Sequence, residues 1–238
     1  FHFFNDNEGW KYIDKFGHGI TSYYVGRLGY DVLGWSGVGR KKSIWYGGTL
    51  GLFFLTSVEV FDGFSDGWGA SPGDLVSNFA GTALFIGQEY LWQEQRITAK
   101  FSYHTTEYAD INPGVLGSTF PERLLKDYNG HTYWLSCNIY PFLKPENKFP
   151  KWLNLSIGYG AEGMLHGYQN PDEVNGQPVP QFEPYSKFFI APDIDLTKIN
   201  VRSRFLKTLF KTLGFIKMPL PTLEFNKFDG VKGHWLYF

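Results

Sequence analysis

The chain has 238 residues, of which 43% are hydrophobic and 19% aromatic, and its formal net charge is −1. Because no basic surplus exists to neutralise phosphates, this composition argues against nucleic acid as a partner. Charged residues make up 19% of the chain, below the roughly 25% of an ordinary soluble domain, so the abundant rings favour contacts with lipid or with other proteins. The single cysteine, Cys137, excludes an internal disulfide.

Residues 1–95 are apolar and rich in glycine, and their periodicity predicts a bundle of three to four helices. Asn5 or Asp6 is placed to cap a first helix that continues through Trp10. In residues 14–30 the small residues recur every three or four positions, so they share one helix face. Because a glycine weakens a helix by about 1 kcal/mol relative to alanine, this face indicates the close approach of another backbone. The small residues are Gly19, Ser22, Gly26 and Gly29.

Residues 43–58 carry no charge and contain a GxxxG pair, Gly47 and Gly51. This uncharged stretch is shorter than the roughly 20 residues that cross a bilayer. Two interpretations therefore stay open: a buried core helix, or a short or interfacial membrane helix.

A further helix is predicted to begin at Ser71 and to run to about Gln93. A serine accepts hydrogen bonds from free backbone N–H groups, and Pro72 suits the first turn. Asp74 lies three residues after the serine, where a negative charge favours the positive end of the helix dipole.

Residues 96–238 change to strand periodicity, with alternating apolar and polar residues. The predicted fold class is α+β, in which the helical bundle precedes an antiparallel β-sheet or a small β-barrel, the latter of the outer-membrane kind. The pattern predicts strands near residues 97–104, 131–139, 152–165 and 187–199 (the last interrupted by Pro192), a turn at 112–114, a long polar loop near 170–184, a short basic amphipathic helix near 202–213, and a terminal hairpin around Asp229 and Gly230.

The polar residues of the helical region form an ordered pattern over about residues 10–92. The pattern reads Asp14-Lys15-x-x-His18, then Glu59-x-x-Asp62, then Ser71-x-x-Asp74-x-x-x-Asn78-x-x-Gly81. It resembles the YfiM-like predicted periplasmic lipoproteins of Bacteroidota and, more distantly, the VanZ-like small membrane proteins. The resemblance implies a location in the envelope of a Gram-negative bacterium, on the periplasmic face or in the outer membrane, and it implies no reaction.

The candidate site lies where the two apolar helices are connected. If these helices pack antiparallel, the end of one lies beside the start of the next, and His18 completes a cluster with their carboxylates. Such a cluster suits a structural hydrogen-bond network, a divalent metal, or general acid–base chemistry. His18, Glu59 and Asp62 are the candidate catalytic residues, because no local role explains them. The residues assigned to a structural polar cluster are Asp14, Ser71, Asp74 and Asn78.

The sequence favours a non-enzymatic cell-envelope protein, an accessory or structural subunit of an outer-membrane protein assembly. The expected partners are lipid or the outer membrane and other envelope proteins, with no nucleic acid, no metal and no cofactor. One alternative is a membrane-associated hydrolase or transferase that modifies lipid through the His/carboxylate cluster. Another is a soluble periplasmic binding module, so the question of an enzyme stays open.

Overall fold

The computed structural model describes residues 1–144, 146 and 148–238. The chain divides into two compact units, Phe1–Gln95 and Arg96–Phe238. The first unit is helical and the second is built on an antiparallel sheet of six strands, which confirms the α+β class.

Three long helical segments build the first unit. The middle segment is continuous from Arg40 to Gly63 and is long and apolar enough to cross a membrane, by length and composition alone. Of the residues in its most apolar window, 33% are buried. The elements are α1 (Ile13–Trp35), α2 (Arg40–Lys42), a π-helical turn (Ser43–Gly47), α3 (Leu50–Gly63) and α4 (Pro72–Leu91).

The predicted passage of the first helix through Trp10 is wrong, because α1 begins only at Ile13. Residues 10–12 have φ angles of 50°, 51° and 65°, a left-handed conformation that costs an L-residue about 1–2 kcal/mol. Contacts outside the segment hold this turn. Asp6, predicted as a helix cap, instead forms an ion pair with Lys15 at 2.8 Å.

The glycines pack the helices backbone to backbone, as the small-residue face predicted. A Cβ on Gly26 or Gly29 of α1 would meet the carbonyl oxygen of Gly48 or Gly47, respectively. A Cβ on Gly51 would likewise meet the backbone of α1. These positions therefore admit no larger side chain without a shift of the helix axes.

The second unit is a six-stranded antiparallel sheet with strand order β1-β2-β3-β6-β7-β8. Within the described residues β1 and β8 do not pair with each other, so the sheet is open and not a closed barrel. Of the two predicted alternatives, the sheet is the one observed. The strands are β1 (Ile97–Tyr103), β2 (His131–Asn138), β3 (Leu153–Glu162), β4 (Glu173–Val174), β5 (Gln177–Pro178), β6 (Tyr185–Ile194), β7 (Leu220–Asn226) and β8 (Gly230–Tyr237).

The sheet has one polar, buried face and one apolar, exposed face. Leu135, Ile157, Ile190 and Leu223 are paired in register across four neighbouring strands and are 39–55% exposed. The opposite face has a small apolar cluster around Trp134 and many buried polar groups. Those groups include Lys100, Ser136, Asn154, Ser156, Lys187 and Asp193.

Several predicted elements of this unit need correction. Strand β6 passes through Pro192 without interruption, because its ladder with β7 ends at Ile190 and no donor is needed beyond that point. The turn predicted at 112–114 is the start of a short helix, and the loop at 170–184 contains the β4–β5 hairpin. Three helices were not predicted: α5 (Tyr108–Ile111), α6 (Pro113–Leu116) and α7 (Phe120–Lys126).

Two predictions near the end of the chain are confirmed. The basic amphipathic segment forms α8 (Arg204–Leu213). The β7–β8 hairpin turns at the predicted Asp229–Gly230 dipeptide, where Gly230 has a φ of 68°.

Candidate functional site

Two facing stripes of polar residues hold α1 against α4 in the first unit. On each helix the stripe follows a spacing of three or four residues, which places its members on one face. Ser22 Oγ donates to the Asn78 carbonyl oxygen at 2.7 Å and bonds Thr82 Oγ1 at 2.8 Å. The stripes are Lys15, His18 and Ser22 on α1, and Asp74, Asn78 and Thr82 on α4.

Lys15 is the cation at the centre of this cluster. Its Nζ lies 2.8 Å from Asp6 Oδ2, 3.1 Å from Asp14 Oδ2 and 2.8 Å from Asp74 Oδ1. The Lys15 side chain is 9% exposed and that of Asp74 is 5% exposed. One ammonium group thus forms ion pairs with carboxylates from α4, from α1 and from the segment that precedes α1.

Ser71 caps α4, as its sequence context predicted. The Asp74 N–H donates to Ser71 Oγ at 3.1 Å. Ser71 Oγ in turn donates to Asp6 Oδ1 at 2.5 Å, which ties the cap to the N-terminal segment. The Ser71 N–H donates to Glu59 Oε2 at 2.9 Å, so the end of α3 does lie beside the start of α4.

His18 lies between the carboxylates and is 21% exposed. Its Nε2 is 4.0 Å from Asp14 Oδ1 and 3.9 Å from Asp74 Oδ2, and its Nδ1 is 3.8 Å from Glu59 Oε1. His18 Nδ1 also makes a hydrogen bond of 3.2 Å with Asn78 Oδ1. The structure therefore brings His18 together with Glu59, as predicted, and with the residues assigned to the polar cluster.

Asp62 lies near the cluster without a direct contact: burial raises the pKa of Glu59, and the charge of Asp62 adds to that effect. Its carboxylate makes no hydrogen bond or ion pair with any residue that the structure describes. Sequence reasoning, in contrast, missed Lys15 and Asp6 as members. Lys15 could have been found, because it lies three residues before His18 and shares its helix face. Asp6 carried no such signal, because its position depends on the left-handed turn.

Burial and charge act together on the acids and on the lysine. Burial lowers the pKa of Lys15, but its bonds with Asp6 and Asp74 outweigh that effect and hold this pKa above the usual range. Burial raises the pKa of Asp6, yet its bonds with Lys15 and Ser71 bring it below the ordinary value. At Asp74 burial prevails, and the pKa lies above the ordinary value despite Lys15.

This arrangement permits two kinds of chemistry besides a structural role. Asp14, His18 and Asp74 each offer a ligand atom, and these atoms lie within 4.8 Å of one another, which suits a metal that accepts imidazole and carboxylate. Lys15 already forms ion pairs with both aspartates and competes with such an ion. Alternatively, the partly exposed imidazole could transfer a proton beside the carboxylates.

The second unit contains its own buried polar groups. A cavity of about 330 Å³ is lined by residues of β3, β6, β7 and β8. Most of its charges are paired: Lys187 Nζ lies 2.7 Å from Glu162 Oε2, and His234 Nε2 lies 2.8 Å from Glu224 Oε2. The wall of the cavity also includes His104, whose pKa is lowered by burial.

Residues 2–87 match the model of the family described as "Predicted periplasmic lipoprotein (DUF2279)", and this match covers less than half of the chain. No curated protein and no solved structure matches the chain. The match includes the residues of the His18 cluster. The helical unit is therefore similar to predicted periplasmic lipoproteins, which supports a location in the cell envelope.

Proposed function

We propose that this protein is a non-enzymatic component of the cell envelope, an accessory subunit of an outer-membrane protein assembly that contacts the membrane directly. The observation that carries the proposal is the inverted sheet of the second unit, whose polar residues are buried while aliphatic residues cover the exposed face. Strands that face lipid have this pattern, whereas a water-facing sheet has the opposite one.

The first unit supports the same proposal. The helix from Arg40 to Gly63 is long enough to cross a bilayer, and it presents large exposed rings. The close glycine contacts between helices are typical of packing in lipid, where small residues allow backbones to approach. Its exposed rings include Trp45, Tyr46, Phe53, Phe54 and Phe61.

The contacts of the polar cluster favour a structural role in this assembly. Lys15 joins three carboxylates, and Ser71 links Asp6 to Glu59 at the end of α3, so most of the charged groups are held by contacts within the cluster. The more specific kinship with YfiM-like and VanZ-like proteins is part of this proposal.

Fractionation and purification in detergent test the proposal. We expect the protein in the outer-membrane fraction, its extraction to require detergent, and defined envelope proteins to co-purify with it at fixed ratios. Recovery in the periplasmic fraction after osmotic shock, without detergent, would contradict membrane contact and favour the soluble binding module. Extraction as a monomer without partners would contradict the role as a subunit.

A second candidate function rests on the partial exposure of His18 beside three carboxylates. In this hypothesis His18 and Glu59 are the catalytic residues of a hydrolase or transferase that acts on membrane lipid. We expect His18→Ala to lower protein abundance and melting temperature together if the cluster is structural. A mutant phenotype at normal abundance and melting temperature would support the enzyme, and Asp66→Ala, at an exposed residue of the connector between α3 and α4, serves as the matched control.

A further inference from the structure

Helix α8 separates its apolar and cationic residues onto different sides. With about 100° of rotation per residue, the five apolar side chains fall within an arc of about 140°. The three cations of the helix lie on the opposite side, and Thr208 and Thr212 lie between the cationic and apolar arcs. The apolar residues are Phe205, Leu206, Leu209, Phe210 and Leu213, and the cations are Arg204, Lys207 and Lys211.

The apolar arc of α8 is only partly covered in the described part of the second unit: Leu209, Phe210 and Leu213 are half-buried, while Phe205 and Leu206 are exposed. No residue of the helix is buried, and Phe205 is 73% exposed. Backbone hydrogen bonds to β1 nevertheless fix the segment that follows the helix. The Phe101 N–H of β1 donates to the Phe215 carbonyl oxygen at 2.8 Å, and the Lys217 N–H donates to the Phe101 carbonyl oxygen at 2.9 Å. The helix is thus presented at a fixed place beside the edge of β1.

The charge of this segment identifies its partner. Residues 202–211 carry four cations and no acid, in a chain whose net charge is −1. Arg202, Arg204 and Lys207 make no ion pair with a described residue. A helix with an open apolar arc and a cationic opposite face is typical of segments that lie in the interface of a membrane with anionic lipid.

We propose that α8 lies in the interface of a bilayer and binds anionic phospholipids selectively. Its apolar arc inserts among the acyl chains, and its cations bind the phosphates of the headgroups. The inference rests on the proposed membrane contact and goes further, because it names the lipid class and the element that recognises it. An anionic phospholipid supplies both the phosphates and the acyl chains that these two faces require.

The test uses the full chain with Cys137→Ser, so that an environment-sensitive fluorophore can be attached at one site. One sample carries Leu206→Cys, in the middle of the apolar arc, and its matched control carries Thr208→Cys, outside that arc. Each is reconstituted in nanodiscs of phosphatidylcholine alone, or of phosphatidylcholine in which about one lipid in three is replaced by the anionic phosphatidylglycerol. Nitroxide groups on the acyl chains report contact by quenching.

We expect strong quenching at position 206 only with phosphatidylglycerol, and weak quenching at position 208. The double change Arg204→Gln with Lys207→Gln should raise the phosphatidylglycerol fraction that is needed for half-maximal quenching, since each charge contributes about five-fold in affinity. The same change at Lys126 and Lys232, outside α8, should leave the fraction unchanged.

Three results would overturn the inference: no quenching at position 206, equal quenching at both positions, or equal quenching in both lipid mixtures. If these occur while the protein stays with the nanodiscs, the inference fails and the proposed membrane contact stands. If the protein does not co-elute with nanodiscs of either composition, both fail.

Discussion

At the scale of single residues, Lys15 shows what a polar motif can and cannot tell. Its spacing from His18 was visible in the sequence, and the facing stripes follow from helix periodicity. The sequence could not show that its ammonium group would lie between Asp6 and Asp74, because those contacts depend on how two distant segments pack. For the same reason the sequence could not show how close Asp62 comes to His18, since spacing alone does not tell which side of α3 faces the cluster.

Lys15→Met keeps most of the side-chain volume and removes the charge. We expect it to lower the free energy of unfolding by about 3 kcal/mol, because buried carboxylates then lose their partner. Thermal unfolding in detergent, followed by circular dichroism, measures the effect. Asp62→Asn is the control and should change stability by less than about 0.5 kcal/mol. Equal effects of the two changes would show that Lys15 does not hold the cluster.

Lys217 in the second unit predicts a dependence on pH. Burial lowers its pKa to about 8, and Asp193, 3.7 Å away, offsets burial only in part. The folded pKa lies below the usual 10.5, so the unfolded chain binds more protons between these values and stability rises with pH there. Relative to Lys217→Met, the wild type should gain about 2 kcal/mol between pH 7 and pH 9.5. Melting curves of both proteins that shift in parallel with pH would contradict this.

At the scale of elements, the sequence indicated the strands and the long helices, because their periodicity reflects one buried face. It did not indicate α5, α6 and α7, which are too short to repeat a pattern. It also missed the β4–β5 hairpin, although its Asn175–Gly176 dipeptide, with φ angles of 53° and 75°, is a strong hairpin signal. The small-residue face of α1 was informative because only a close backbone explains so many glycines.

Substitutions at two glycines of α4 distinguish the effect of close helix packing on stability from the effect of helix propensity. A Cβ on Gly81 would meet the Gly19 carbonyl oxygen of α1, whereas nothing lies within 4 Å of a Cβ on Gly87. We expect Gly81→Ala to destabilise the protein by about 1–3 kcal/mol through overpacking. Gly87→Ala should stabilise it by about 0.5–1 kcal/mol through helix propensity. Melting temperatures in detergent measure both, and changes of the same sign would argue against tight α1–α4 packing.

At the scale of the whole molecule, composition already indicated extensive apolar contacts, since rings are abundant and charges are few. Composition could not tell which faces expose apolar side chains. That became visible only when register placed Leu135, Ile157, Ile190 and Leu223 in one row across the sheet. Alternation within a strand distinguishes two faces, but it does not say which of them is buried.

Ile190→Lys tests what covers this row. If lipid covers it, the change should cost about 2–4 kcal/mol near the bilayer centre. If water covers it, a residue 44% exposed should tolerate lysine at a cost below about 0.5 kcal/mol. Yield and melting temperature after reconstitution in lipid report the difference. Phe228→Lys, at the β7–β8 turn and 57% exposed, is the control.

The left-handed turn at residues 10–12 has a consequence for how the N-terminal segment responds to the loss of a contact. Local preference favours a helix there, and the contacts of Asp6 with Lys15 and Ser71 oppose it. The contacts of Asp6 thus stabilise the turn against a helical conformation of the same residues. Asp6→Ala should release the turn and lengthen α1 toward its N-terminus. Circular dichroism should then record more helix, although the same variant has a lower melting temperature. An unchanged or smaller helical signal would show that the turn is fixed by its own residues.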